Sequence, residues 1–129
     1  MLKIAVIVLA ALNMVLFAPT IIATAIQNPT PESFSISFAL AGFLIMTSAL
    51  LVWASRNFPA RAPVLFWNGM VRVFASCATV YAISVNIEDA ARYAFVAFDL
   101  TAGIILIIGA IKTSPHSFWA LLLWRVGAP

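Results

Sequence analysis

Arg72 and Asp99 are the residues in this chain whose chemistry demands an explanation. Each interrupts a stretch that otherwise reads as a membrane span, Val64–Val85 and Tyr93–Ile111. A charged side chain near a bilayer's centre costs roughly 2.5–3.5 kcal/mol on insertion scales, so it pairs with another group, faces a wet cavity, or both. Three chemistries fit an acid and a guanidinium at that depth. The first is a buried ion pair that fixes helix register. The second is a transport or proton-relay site, in which one charge pairs with substrate or titrates. The third is catalysis at a lipid-accessible cavity, with Asp99 as acid or base and Arg72 as electrostatic stabiliser. Failing contact between them, each would serve a neighbouring subunit.

The polar residues around the pair sharpen the first reading. Counted from the Val64 and Ile111 ends, Arg72 and Asp99 differ in depth by about 6 Å at about 1.5 Å per residue, within reach of an arginine side chain. Asn13 in the first span and Thr47 and Ser48 in the second fall in nearly the same slab. An intramembrane polar layer of Arg72, Asp99, Asn13, Asn68, Thr47 and Ser48 is therefore expected, with Asn13 and the hydroxyls satisfying leftover donors and acceptors. On the third span Asn68, Gly69, Arg72, Ala75, Ser76 and Thr79 share a small or polar face, while Phe66, Met70, Val73 and Val80 lie around the other. Asp99 groups with Ala102, Gly103, Leu106 and Ala110, and Ser37, Ala41 and Ser48 form a similar stripe. Small residues let membrane helices approach closely and hydrogen-bond across the contact.

The elements that must position these residues follow from composition. Of 129 residues, 64% are hydrophobic and 9% charged, and the mean hydropathy is +1.10. About 20 apolar residues span the hydrocarbon core. No residue is charged between Ile4 and Pro31 or between Ser33 and Ser55, which gives spans near 4–26 and 33–55. Read through their single charges, 64–85 and 93–111 complete an all-α polytopic membrane protein of four antiparallel transmembrane helices. Short loops make residues 1–129 one membrane domain. Thr30-Pro31 is a helix start after Asn28-Pro29. Asn57-Phe58-Pro59 and Ala62-Pro63 mark the second connection, and Asn86-Ile87-Glu88-Asp89 the third. After Thr113-Ser114-Pro115, a short helix near 115–126 carries Trp119, Trp124 and Arg125 and suits the membrane interface.

Orientation comes from the basic residues. Lys3, Arg56, Arg61, Lys112 and Arg125 share one side, and Arg92 faces them with Glu32, Glu88 and Asp89. The side rich in Lys and Arg is cytoplasmic, so both termini are expected in the cytoplasm of a bacterial cell with the chain in its inner membrane. Trp53, Trp67, Trp119 and Trp124 mark the cytoplasmic interface, Tyr81 and Tyr93 the other. The net charge of +3 is then a topology signal rather than a nucleic-acid footprint. A rival reading takes Lys3, the first apolar run and Ala23-Thr24-Ala25 as a cleavable secretory signal, which would leave three spans. The run is longer than an ordinary signal core, and a retained first helix is expected.

Other chemistry is sparse. His116 is the single histidine, so this chain alone does not ligate a bis-histidine haem, and Cys77 is the single cysteine, which removes disulfide and dithiol chemistry. No metal site, cofactor or catalytic residue is expected from the residues themselves. The four short-looped spans, Ala54-Ser55-Arg56-Asn57-Phe58-Pro59 at the end of the second, Arg72 and Asp99 together resemble the DoxX-like group of small bacterial four-helix membrane proteins. The first span departs from that group, having Asn13 and no glycine where a glycine-rich, arginine-containing helix is expected. The resemblance implies four helices and, for some relatives, an accessory role in membrane oxidoreductases; it implies no catalytic residue. The expected function is a non-catalytic structural or accessory subunit that packs against itself or a larger membrane complex within the lipid bilayer. A small transporter or proton relay is the alternative, and a lipid-directed enzyme the third reading.

The topology is directly testable. In a Cys77→Ala background, a cysteine at Glu88 should react with a membrane-impermeant maleimide added outside the cell, and one at Lys112 should not. Outside labelling at Lys112 would reverse the orientation.

Overall fold

The computed structural model describes residues 1–27 and 29–123, apart from the side chains of Pro31 and Glu32. Trp124, Arg125 and Val126, assigned by sequence to the interfacial helix, lie outside that description, as does Asn28 in the first loop. The protein is all-α, and four of its helical stretches are long and apolar enough to cross a membrane. It forms two compact units, residues 1–56 and 57–129.

The first unit pairs one broken span with one straight one. The broken span is α1 (Leu2–Leu12), a π-helical turn (Asn13–Phe17) and α2 (Ala18–Gln27). The π turn has a local cause. Pro19 has no N–H to give the carbonyl of Val15, and its ring would collide with that carbonyl in a regular α-helix. The chain widens instead, and the Ala18 N–H donates to the Asn13 carbonyl, five residues back. Both α1 and α2 pack against α3 (Pro31–Ala54). Thr30 starts α3 as the sequence predicts, with Pro31 in its first turn. The Thr30 Oγ1 accepts from the Ser33 N–H at 3.1 Å, and the Ser33 Oγ accepts from the Thr30 N–H at 3.3 Å. The two orphan donors of the helix start are thus satisfied reciprocally. Val6, Ala10, Ala18, Ala41 and Leu51 are buried.

The second unit is a hairpin of α4 (Phe58–Ser84) and α5 (Tyr93–Thr113), capped at one end by α6 (Phe118–Leu122). Here the structure refines one boundary. The segment Asn57–Pro63 is not an open loop: Asn57 Oδ1 caps the Ala60 N–H at 3.4 Å and a helical turn begins at Phe58. The expected punctuation survives as a kink at Arg61 (φ −118°, ψ 15°). Pro63 lacks an N–H for the Pro59 carbonyl and strains the helix against it, and the backbone absorbs that strain two residues earlier. At the other end, Asn86 adopts a positive φ of 59°, a conformation asparagine tolerates. Asp89 Oδ1 then accepts from the Ala91 N–H at 2.7 Å, starting the 3₁₀ turn Ala90–Arg92.

The helix expected after Thr113-Ser114-Pro115 begins later than the sequence suggests. Ser117, rather than Thr113-Ser114, caps it, accepting from the Ala120 N–H at 3.3 Å. Its Leu121 is fully buried, and Phe118 meets Phe66 edge-on with ring centroids 5.5 Å apart. That contact corrects the reading of Phe66 as part of the outer face of α4: it is fully buried because α6 folds over it. Trp119 remains largely exposed.

The glycines separate two packing regimes. A Cβ on Gly69 would lie 2.7 Å from the Gly103 carbonyl oxygen and 2.7 Å from Ile107 Cγ1. A Cβ on Gly103 would lie 2.9 Å from the Gly69 carbonyl oxygen. Gly42 on α3 has open space there. Gly69→Ala and Gly103→Ala should therefore each destabilise the hairpin by about 1–3 kcal/mol. Gly42→Ala should be neutral or stabilise by up to about 1 kcal/mol through helix propensity. Reversible unfolding in mixed micelles reads both signs; equal effects at the three sites would refute the close crossing.

Candidate functional site: the Arg72–Asp99 pair

Backbone approach comes first. With no side chain at Gly69 or Gly103, α4 and α5 meet nearly backbone to backbone. One helical turn from that crossing on each helix stand Arg72 and Asp99. Gly103 is one turn from Asp99, and a Cβ there would come within 3.2 Å of Arg72 Cβ. The crossing and the charges are thus one assembly.

Arg72 Nη1 donates to Asp99 Oδ1 in a direct ion pair, and each side chain is only 9% exposed. Arg72 Nε donates to Asn68 Oδ1 at 3.2 Å. Asn68 sits one turn back on α4, so it holds the guanidinium from its own helix while Asp99 holds it from the next. The Arg72–Asp99 side of this triangle is the meeting that depth in the sequence anticipates; the Asn68–Arg72 side is not. Ser76, one turn beyond Arg72, is buried too, and its hydroxyl has no protein partner.

The remaining predicted residues lie in the first unit and behave differently. Asn13 is buried at the start of the π turn, and its Nδ2 has no protein partner. Thr47 and Ser48 both donate to the Leu44 carbonyl, at 3.1 and 2.6 Å. Their protons are spent inside α3 rather than on leftover groups elsewhere, because a hydroxyl in an apolar helix has a carbonyl one turn back within reach. Sequence reasoning missed the π turn, for which Pro19 six residues after Asn13 was the available signal. It also missed the Asn68–Arg72 bond, although the spacing of four residues was legible.

A second ion pair lies at the surface. Arg92 Nε reaches Glu88 Oε2 at 3.3 Å across an exposed turn, a geometry worth little in stability. Cys77 is exposed on α4. Among the described residues no three His, Cys, Asp or Glu side chains come together. Comparison with protein-family models, curated proteins and solved structures finds no match to the chain.

The pair predicts a thermodynamic cycle. Removing one partner leaves a charge unpaired in low dielectric and should cost about 3–5 kcal/mol, while removing both should be far milder. Arg72→Met with Asp99→Leu should therefore unfold close to wild type and later than either single variant. Asp99→Asn should fall between, since an amide oxygen still accepts from the guanidinium. Additive losses across the cycle would show that the two side chains do not interact.

Proposed function

We propose that this chain is a small multi-pass protein of the bacterial inner membrane, with both termini cytoplasmic, that serves as a non-catalytic structural or accessory subunit of a membrane complex. The observation that supports this reading is that Arg72 is answered within its own hairpin. Asp99 and Asn68 take two of its donors, and the Gly69–Gly103 crossing holds them in place. A charge set used to lock two helices is a fold device first. Its neighbours point the same way, because many large apolar side chains are left exposed along the spans, among them Ile36, Met46, Phe74 and Ile104. Such surfaces suit lipid tails and the flanks of other transmembrane helices. The likeness to the DoxX-like group, some of whose members are accessory subunits, agrees with this role.

Purification in a mild detergent from native membranes, followed by native mass spectrometry, tests it. A larger membrane protein should accompany the chain in fixed ratio, and the Arg72→Met/Asp99→Leu double variant should retain that partner. A homodimer with no partner, transporting solute when reconstituted, would favour the transporter. Tightly bound lipid whose turnover stops with Asp99→Asn would favour the enzyme.

A further inference from the structure

Ser76 is the unusual hydroxyl of this protein. Thr47, Ser48, Thr79, Thr101 and Thr113 each donate to a carbonyl three or four residues back in their own helix. Ser76 has the Arg72 carbonyl in the equivalent position and does not use it; its Oγ is buried with no protein partner. The residue is only 3% exposed. It lies on the buried face of α4, one turn past Arg72 and on the side away from the Gly69–Gly103 crossing. Counted from the Gly69–Gly103 contact in the antiparallel hairpin, the α5 residues at the level of that turn are Asp99 and Val96, both buried.

The ion pair, one turn away along α4, has unspent capacity. A guanidinium carries five N–H donors, and the bonds to Asn68 and Asp99 use two of them. The carboxylate of Asp99 binds Arg72 through Oδ1, which leaves Oδ2 as an acceptor. Buried polar groups are satisfied by protein or by ordered water, and an exception calls for a cause. We propose that Ser76, Arg72 and Asp99 form a binding site for one small neutral molecule that both donates and accepts hydrogen bonds, filled in the membrane by water. The three groups supply a donor, an acceptor and a hydroxyl that is either. That matches the two to four polar partners of a typical buried water.

The site changes what the pair is able to do. A carboxylate bonded only to arginine is a closed clamp. A carboxylate that shares a water with a serine exchanges with solvent, and its charge is linked to one more mobile group. This goes beyond a subunit role and does not depend on it.

Water-edited solid-state NMR of the isotope-labelled chain in lipid bilayers tests the proposal. Magnetisation should pass from water protons to the Arg72 guanidinium nitrogens and to Ser76 Cβ several-fold faster than to Thr101 Cβ, which is exposed on α5 with its hydroxyl bonded within the helix. Ser76→Ala removes one of the three partners and should slow transfer to Arg72. Ser76→Val also adds bulk where the bound molecule would sit and should abolish it, while the Arg72–Asp99 contact persists as a nitrogen–carbon correlation. If the valine variant does not insert, the alanine variant decides alone. Transfer to Arg72 no faster than to Thr101, arrival of magnetisation from lipid protons instead of water, or indifference to both Ser76 substitutions would overturn the site.

Discussion

A formal charge in hydrocarbon has few tolerable environments, and the second unit is organised around supplying one. Arg72 needs an anion within a single side-chain length, which fixes how close α5 must come and at what height. That distance is available only if the helices carry nothing at the adjacent contact, so Gly69 and Gly103 follow from the charge rather than from any turn or flexibility. Either glycine alone would cost helix propensity; facing each other they give a close contact that larger residues forbid. Asn68 then completes the arrangement from within α4, where a spacing of four residues places its amide beside the guanidinium. Remove the charge and the reason for most of this geometry goes with it.

The first unit solves a milder problem by other means. It holds no charge at depth, only amides and hydroxyls, and it answers these locally. Thr47 and Ser48 share the Leu44 carbonyl, and Thr20 and Thr24 donate one turn back along α2. Such bonds stabilise no particular partner helix. They make the polar atoms invisible to the hydrocarbon, which suits a unit whose packing rests on alanines and leucines such as Ala10, Ala18, Ala41 and Leu51. The exception is Asn13, which the π turn holds at its start. The same proline that forces the turn sets how the helix continues beyond it.

Much of this was legible in the sequence. Spans follow from uncharged length, so their number and approximate limits could be read directly, and Thr30 caps the helix its place before Pro31 suggested, whereas Asn57 and Asp89, read as marking connections, each cap a helical turn. The Arg72–Asp99 meeting followed from depth alone, since two opposite charges at similar height in neighbouring antiparallel helices have strong reason to find each other. What escaped was the part set by tertiary contact. Phe66 reads as an outward residue on helical phase, and only α6 folding back over α4 buries it. The helical turn at Phe58–Ala60 escaped because prolines signal an interruption without saying whether the chain loops or kinks. That Ser76 would leave its own helix's carbonyl unused was not readable from residue type or spacing, since the other intramembrane hydroxyls of like type take theirs.

These differences bear on how function could be built here. A rigid scaffold needs its charges held so that nothing competes with the helix contact, and the Asn68–Arg72–Asp99 triangle meets that need with two of the five guanidinium donors. A relay needs the opposite: a group with spare capacity, reachable from a second mobile partner. Both descriptions apply to the same hairpin at different faces of the guanidinium. Toward Gly69 and Gly103 the backbones close off the space, and any motion there would have to separate the helices. Toward Ser76 the next residue on that face of α4 is a small, buried hydroxyl rather than a glycine held in backbone contact. A site that is stiff on one side and accommodating on the other lets a protein keep a structural ion pair and still expose one edge of it to chemistry. The crossing therefore constrains function as much as fold, because on the Gly69–Gly103 side the backbones leave no room beside the pair.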